Sequence, residues 1–139
     1  MNADVKESMT FVVHMRSEHR LLKRAILEAV HGAHGPLDEF LAQLRHLRDE
    51  LARHFAEEDE GGCLEEAVAR CPAVADQAMW VAWEHPLLLN ELDSLTSQLV
   101  ERQEVSDAWR EDFLRLTKKL IAHEEAEDRI MSRALGVSP

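Results

Sequence analysis

The sequence predicts an all-α fold: an up-down-up-down four-helix bundle, with a short helix in the connection between the second and third long helices. Two observations carry this prediction. Apolar residues recur at alternating steps of four and three along four long stretches, the spacing of a seam that packs into a bundle core. Between those stretches stand helix breakers: Gly32, Gly35 and Pro36, then Gly61 and Gly62, then Pro72. A length of 139 residues fits one domain spanning the chain, and can bury a core without staples. Residues 1–9 read as a loose N-terminal arm.

The first helix is expected over residues 10–30, where Val12, Met15, His19, Leu22 and Ile26 mark the seam. His31 to Pro36 form a compact turn, with Pro36 suited to the first turn of the second helix. That helix runs over residues 36–59 with a seam of Phe40, Leu44, Leu47, Leu51, His54 and Glu58, and Gly61-Gly62 end it. Residues 63–70 give about two turns of helix, closed by Cys71-Pro72. From Val74 the third long helix carries Val81, His85, Leu88, Leu92, Leu95 and Leu99. Pro86 disfavours helical geometry at His85 and removes a backbone donor, which predicts a kink or a fresh helix start there. Ser106-Asp107 is a cap for the last helix, which reaches Leu135 and stops at Gly136. Its seam is Trp109, Phe113, Leu116, Leu120, His123, Glu127 and Ile130. Trp80, Trp83 and Trp109 are read as packing residues.

Composition narrows the function classes. Apolar residues make up 45% and charged residues 31%, a globular balance with no sign of disorder. The net charge of −11 leaves no basic stripe for a phosphate backbone, so no nucleic-acid partner is expected. No apolar run is long enough to cross a bilayer, and the acidic start lacks the pattern of a signal peptide, which predicts a cytoplasmic protein without a membrane partner. Cys63 and Cys71 match no zinc or disulfide spacing and are expected as free thiols.

The chemistry lies in the polar residues on the apolar seams. A His followed four residues later by Glu places both on one helix face. With eight His such a pair should arise about once by chance, and it arises as His14/Glu18, His46/Glu50, His54/Glu58 and His123/Glu127. The first two fall off the seams and read as solvated surface pairs. The last two fall on seams, and His19 and His85 occupy single seam positions on the remaining long helices. His31 and His34 sit in a turn and are expected to be exposed.

Burying carboxylates and imidazoles costs several kcal/mol unless something compensates them. Nitrogen donors with hard carboxylate oxygens suit iron, manganese or zinc, and six ligands suggest two metals with open positions. Soft Cys ligands are missing from the seams, which argues against copper(I) or an iron–sulfur cluster. Level matters as well as face. Measured from the turn between the last two long helices, His85 and His123 lie about 28 and 25 Å along their helices, so they can meet. Across the first turn His19 and His54 differ by roughly one helical turn. A ferritin-like site needs Glu-x-x-His on two helices, and Glu28/His31 is the one match.

Four ordered segments, Glu18-His19-Arg20-Leu21-Leu22, His54-Phe55-Ala56-Glu57-Glu58, Glu84-His85-Pro86-Leu87-Leu88 and His123-Glu124-Glu125-Ala126-Glu127, give a sequence that resembles the hemerythrin-like (HHE cation-binding) domains over nearly its whole length. The resemblance implies a four-helix bundle around a non-haem, carboxylate-bridged pair of iron ions. Carried over by position, His19, His54, His85 and His123 would be terminal ligands, with Glu58 and Glu127 as bridges. The oxygen-carrying members have a further His four residues after the third-helix one, where Leu89 stands here, and a fourth-helix Asp five residues after the His. Asp128 stands at that offset, yet Glu127 shares the seam with His123 and is the expected bridge. The resulting four-His, two-Glu pattern is similar to bacterial proteins associated with iron–sulfur cluster repair and nitrosative stress. Those usually carry a Cys-bearing N-terminal segment, and the sequence before Cys63 has no Cys.

The function this implies is binding or sensing of a small diatomic, O2 or NO, at an open iron position in an apolar pocket. The alternatives are an enzyme acting on peroxide or NO, and an iron donor for damaged iron–sulfur clusters. Glu57, Glu124 and Glu125 are candidate proton donors by proximity, and the absence of Tyr excludes a tyrosyl radical route.

Overall fold

A computed structural model describes residues 3–136, with side chains described from Val12 onward. Five α-helices account for nearly all of it: α1 (Ala3–Gly32), α2 (Leu37–Gly61), α3 (Cys63–Arg70), α4 (Ala75–Arg102) and α5 (Asp107–Leu135), with a 3-10 turn at Pro72–Val74. No strand occurs among the described residues. Helix α1 packs on α2 and α5, α4 packs on the same two, and the short α3 lies against α4 and α5. None of these helices is long and apolar enough to cross a membrane.

The ends of the helices follow from local chemistry. The Ser106 side chain accepts a hydrogen bond from the Trp109 amide at 3.1 Å, capping α5 as its sequence suggests. Gly62 and Gly136 close α2 and α5 with φ of 65° and 67°, a left-handed geometry that costs glycine little. Gln103 does the same for α4 with φ 55°, and its amide bonds the Leu99 carbonyl at 2.8 Å. Pro36 stands just before α2 at the cap position, one residue earlier than expected.

Three expectations need correction. The N-terminal arm is helical from Ala3, because no breaker interrupts the run into α1; Met1 and Asn2 lie outside the described residues. Of the two outcomes expected at Pro86, a kink or a fresh start, the fresh start does not occur: helix α4 continues from Ala75 to Arg102. Proline costs one backbone bond there, and the buried Val81, His85, Leu88 and Leu92 on either side hold the helix in register. Trp80 and Trp83 are not core residues: they are 59% and 58% exposed, whereas Trp109 is buried. Their positions fall outside the seam of α4, and residue type alone had suggested burial.

The apolar seams are buried on all four long helices. They build two clusters. The larger gathers Leu22 and Ile26, Phe40 to Phe55, Leu88 to Leu99, and Trp109 to Leu120. In it Phe40 meets Trp109 and Phe113 edge to face at 5.5 and 5.9 Å, and the Trp109 indole donates to the Leu95 carbonyl at 2.9 Å. The smaller gathers Met15, Cys63, Leu64, Ala67, Val74, Ala78, Val81, Ile130 and Met131. On α1, α4 and α5 the seam histidine falls between the residues given to one cluster and those given to the other. The polar layer is therefore closed off by apolar packing above and below.

Ser106→Ala removes the α5 cap and leaves the Trp109 amide without its partner. It should lower stability by about 1 kcal/mol, read as a fall of a few degrees in melting temperature with helicity unchanged.

Candidate metal centre

His19, His54, Glu58, His85, His123 and Glu127 are all buried, with Glu127 fully enclosed. They come together in two groups. Donor atoms of His19, His54, Glu58 and Glu127 lie within 4.8 Å of one another, and so do those of His85, His123 and Glu127. Glu127 belongs to both groups and Glu58 to the first. The level mismatch expected between His19 and His54 does not keep them apart, since their Nε2 atoms stand 3.1 Å apart. Helix α1 runs to Gly32 and α2 starts at Leu37, and both shifts reduce the mismatch.

Apart from the His19 and His54 Nε2 atoms, which bond each other, the donor atoms point at one another without satisfying one another. His54 Nε2 lies 2.5 Å from Glu58 Oε1, and His123 Nε2 lies 2.5 Å from Glu127 Oε1. Neither contact has hydrogen-bond geometry: both oxygens of Glu58, both of Glu127, His85 Nε2 and both ring nitrogens of His123 have no hydrogen-bond partner. A buried polar atom left unpaired costs about 1–3 kcal/mol. Such a concentration of orphaned nitrogen and carboxylate atoms around common points is what a cation would relieve, and the cluster could hold a metal ion. The protonation states agree with this. Burial, with the neighbouring imidazoles of His85, His19 and His54, pushes His123 down to about 3, so its ring is neutral and able to ligate at ordinary pH.

A second set of carboxylates orients the rings from outside. Asp128 Oδ1 accepts from His19 Nδ1 at 2.8 Å, and Asp59 Oδ1 accepts from His85 Nδ1 at 3.1 Å. Glu84 Oε1 stands 3.6 Å from His123 Nδ1. With Nδ1 of His19 and of His85 so engaged, Nε2 of each ring is turned inward as an acceptor, the arrangement by which ligating histidines are fixed in tautomer and direction. The Phe55 ring stacks on His85 at 4.2 Å with an angle of 6° and meets His123 edge to face at 5.3 Å.

Glu124 was one of three carboxyls singled out by proximity, and the structure separates them. Glu57 is exposed and bound to Arg53 at 3.0 Å, and Glu125 is exposed. Glu124 is buried, its Oε1 has no partner, and it lines a cleft of about 430 Å³ between α1 and α5 beside His19. Burial, reinforced by the charges of Asp128 and Glu58, pushes its carboxyl up to about 8.

The remaining candidates sort as their positions suggested. His14 and Glu18 form a surface contact of 3.8 Å, and His31, His34 and His46 are exposed. Cys63 and Cys71 are free thiols; burial pushes Cys63 up to about 12, which leaves it unreactive. Sequence reasoning missed Asp59 and Glu84. Each meets the histidine of another helix, a pairing that no spacing along one helix encodes. Asp128, weighed as a possible bridge, instead serves His19. Compared with protein-family models, curated proteins and solved structures, the chain finds no match.

Two outcomes follow for the protein in solution. A transition-metal ion should raise its melting temperature and a chelator should reverse the gain, with Asp128→Ala weakening metal affinity by about 10–100-fold in a competition titration. In the metal-free protein, Glu124 binds its proton more tightly folded than unfolded, so its contribution is present at low pH and lost as pH rises through about 8. His123 acts oppositely, its contribution being present above 6.5 and lost as pH falls toward about 3. Between pH 6.5 and 8 the Glu124 contribution should fall by about 1.5 kcal/mol, read in urea unfolding. Glu124→Gln should flatten that slope.

Proposed function

We propose that this chain is a hemerythrin-like domain: an up-down-up-down four-helix bundle that holds two iron ions and binds a small diatomic ligand, O2 or NO. The observation that carries the reading is Glu127, which belongs to both donor groups while its two oxygens have no hydrogen-bond partner. A carboxylate with two oxygens shared between two sets of histidines suits two cation positions better than one. In this reading His19, His54 and Glu58 serve one position and His85 and His123 the other, with Glu127 common to both and Glu58 the second candidate bridge. Reduced iron would supply the electrons and an open position for the ligand.

The protein's own residues set the conditions around it. Apolar clusters on both sides keep the six residues buried, which strengthens the electrostatic interactions among them. Asp128 and Asp59 hold the His19 and His85 rings in one orientation. Leu89, one turn beyond His85, is half-buried against the larger apolar cluster, and no imidazole stands there to fill a further position. One position is then more accessible, which favours sensing or stress handling over bulk oxygen storage.

Glu124 favours a second reading, an enzyme acting on peroxide or NO. It is buried beside His19, unpaired, and holds its proton at neutral pH, so Oε1 can deliver a proton toward the layer. Donation of iron to damaged iron–sulfur clusters is the third reading.

Iron-replete expression should yield about two iron ions per chain by metal analysis, and His54→Ala should lower that content while keeping helicity. Anaerobic reduction followed by separate exposure to O2, NO and peroxide should change the visible spectrum. A single stoichiometric reaction supports the binding reading, and repeated turnover abolished by Glu124→Gln supports the enzyme. Rapid loss of iron to an acceptor supports donation. Stable O2 uptake, released unchanged on deoxygenation, would rule out the preference for stress handling.

A further inference from the structure

The outer side of α4 carries four large apolar residues that no described residue covers. Met79, Trp80, Trp83 and Leu87 are 64%, 59%, 58% and 48% exposed. At about 100° per residue they occupy roughly 100° of arc on the side away from the buried seam, with Asp76 inside the same arc. The two indoles meet edge to face at 5.6 Å. A contiguous exposed apolar patch marks a contact surface, and Trp is the residue type most enriched at the energetic centres of interfaces.

The charge around the patch says what fits it. From residue 71 to 101 the sequence has no Lys or Arg, and it has Asp76, Glu84, Glu91, Asp93 and Glu101. Toward the C-terminal half of α4 neighbouring helices supply cations: Lys119 reaches Glu91 at 3.2 Å and Arg48 reaches Asp93 at 3.2 Å. Around the tryptophans they do not. Asp76 has no ion-pair partner among the described residues, and the one partner of Glu84 there is His123. The apolar face is thus bordered by uncompensated negative charge.

We propose that this face of α4 docks a protein partner whose contact segment presents Arg or Lys around apolar residues. Its apolar residues would cover Trp80, Trp83 and Met79. Its cations would pair with Asp76 and Glu84 and lie over the indole faces, where the ring quadrupole attracts them. A second copy using the same face would set acid against acid, and an anionic lipid surface would be repelled in the same way. The inference stands independently of what the buried layer holds.

The test titrates the full chain against two labelled amphipathic peptides, one of Leu and Arg and one of Leu and Glu in the same pattern, followed by fluorescence anisotropy. The Arg peptide should bind and the Glu peptide should not. Trp80→Ser with Trp83→Ser should weaken binding by about tenfold or more, at unchanged helicity and melting temperature. Asp76→Lys should weaken it by severalfold, and this variant decides the matter if the double variant fails to fold. Equal affinity for the double variant would mean that the peptide senses only the overall charge, and would overturn the proposal, as would no binding at all. So would a concentration-dependent dimer, or adhesion to anionic vesicles, that the double variant abolishes.

Discussion

The structure depends on a layer of buried polar groups of which most inward-facing atoms, both carboxylates' oxygens included, have no hydrogen-bond partner. Four imidazoles and two carboxylates occupy positions that elsewhere on the same seams belong to leucine and phenylalanine. Without a cation, their unpaired atoms oppose folding, each by an amount comparable to the gain from a buried methylene or two. The two apolar clusters have to outweigh that cost, and they are placed to do so. On α1, α4 and α5 they grip the helix on both sides of the layer, which resists local splaying around it. Stability and the proposed chemistry are thus coupled: the packing that keeps the layer buried also makes the layer unfavourable until it is neutralised.

Charge is graded outward from that layer. Glu127 and Glu58 lie inside with their oxygens unpaired, Asp128 and Asp59 bond the outer ring nitrogens of His19 and His85 while Glu84 stands 3.6 Å from that of His123, and Glu57 and Glu125 face solvent. The same residue type takes three roles according to depth. Glu124 is the exception, buried without a ring to serve, and it lines a cleft that reaches His19. This asymmetry leaves a neutral acid next to His19 and, among the described residues, none beside His85.

Much of the fold and the inner site was legible because both are written in one-dimensional spacing. The steps of three and four that bring Leu44 and Leu47 inward also bring in His54 and Glu58, and those that bring in Leu116 and Leu120 also bring in His123 and Glu127. The cap at Ser106 and the stop at Gly62 were legible for the same reason, since each acts within a few residues of itself. Spacing put Trp80 and Trp83 off the seam of α4, and the expectation of burial failed because it rested on residue type instead. Spacing could not say that the helix survives Pro86, which depends on how firmly neighbouring helices hold the turns before and after it.

What the sequence determined by itself is which residues face inward: helical periodicity is a local property, and it assigns His19, His54, Glu58, His85, His123 and Glu127 to the core without reference to any other helix. What only the tertiary structure decided is which of them meet, and which carboxylates stand behind them. The His19–His54 contact, the sharing of Glu127 between two groups, and the pairing of Asp128 with His19, Asp59 with His85 and Glu84 with His123 all cross between helices. Their distances are set by the relative height and rotation of packed cylinders. No interval along a single strand of sequence encodes that quantity, because it arises only when the apolar faces of separate helices are fitted together.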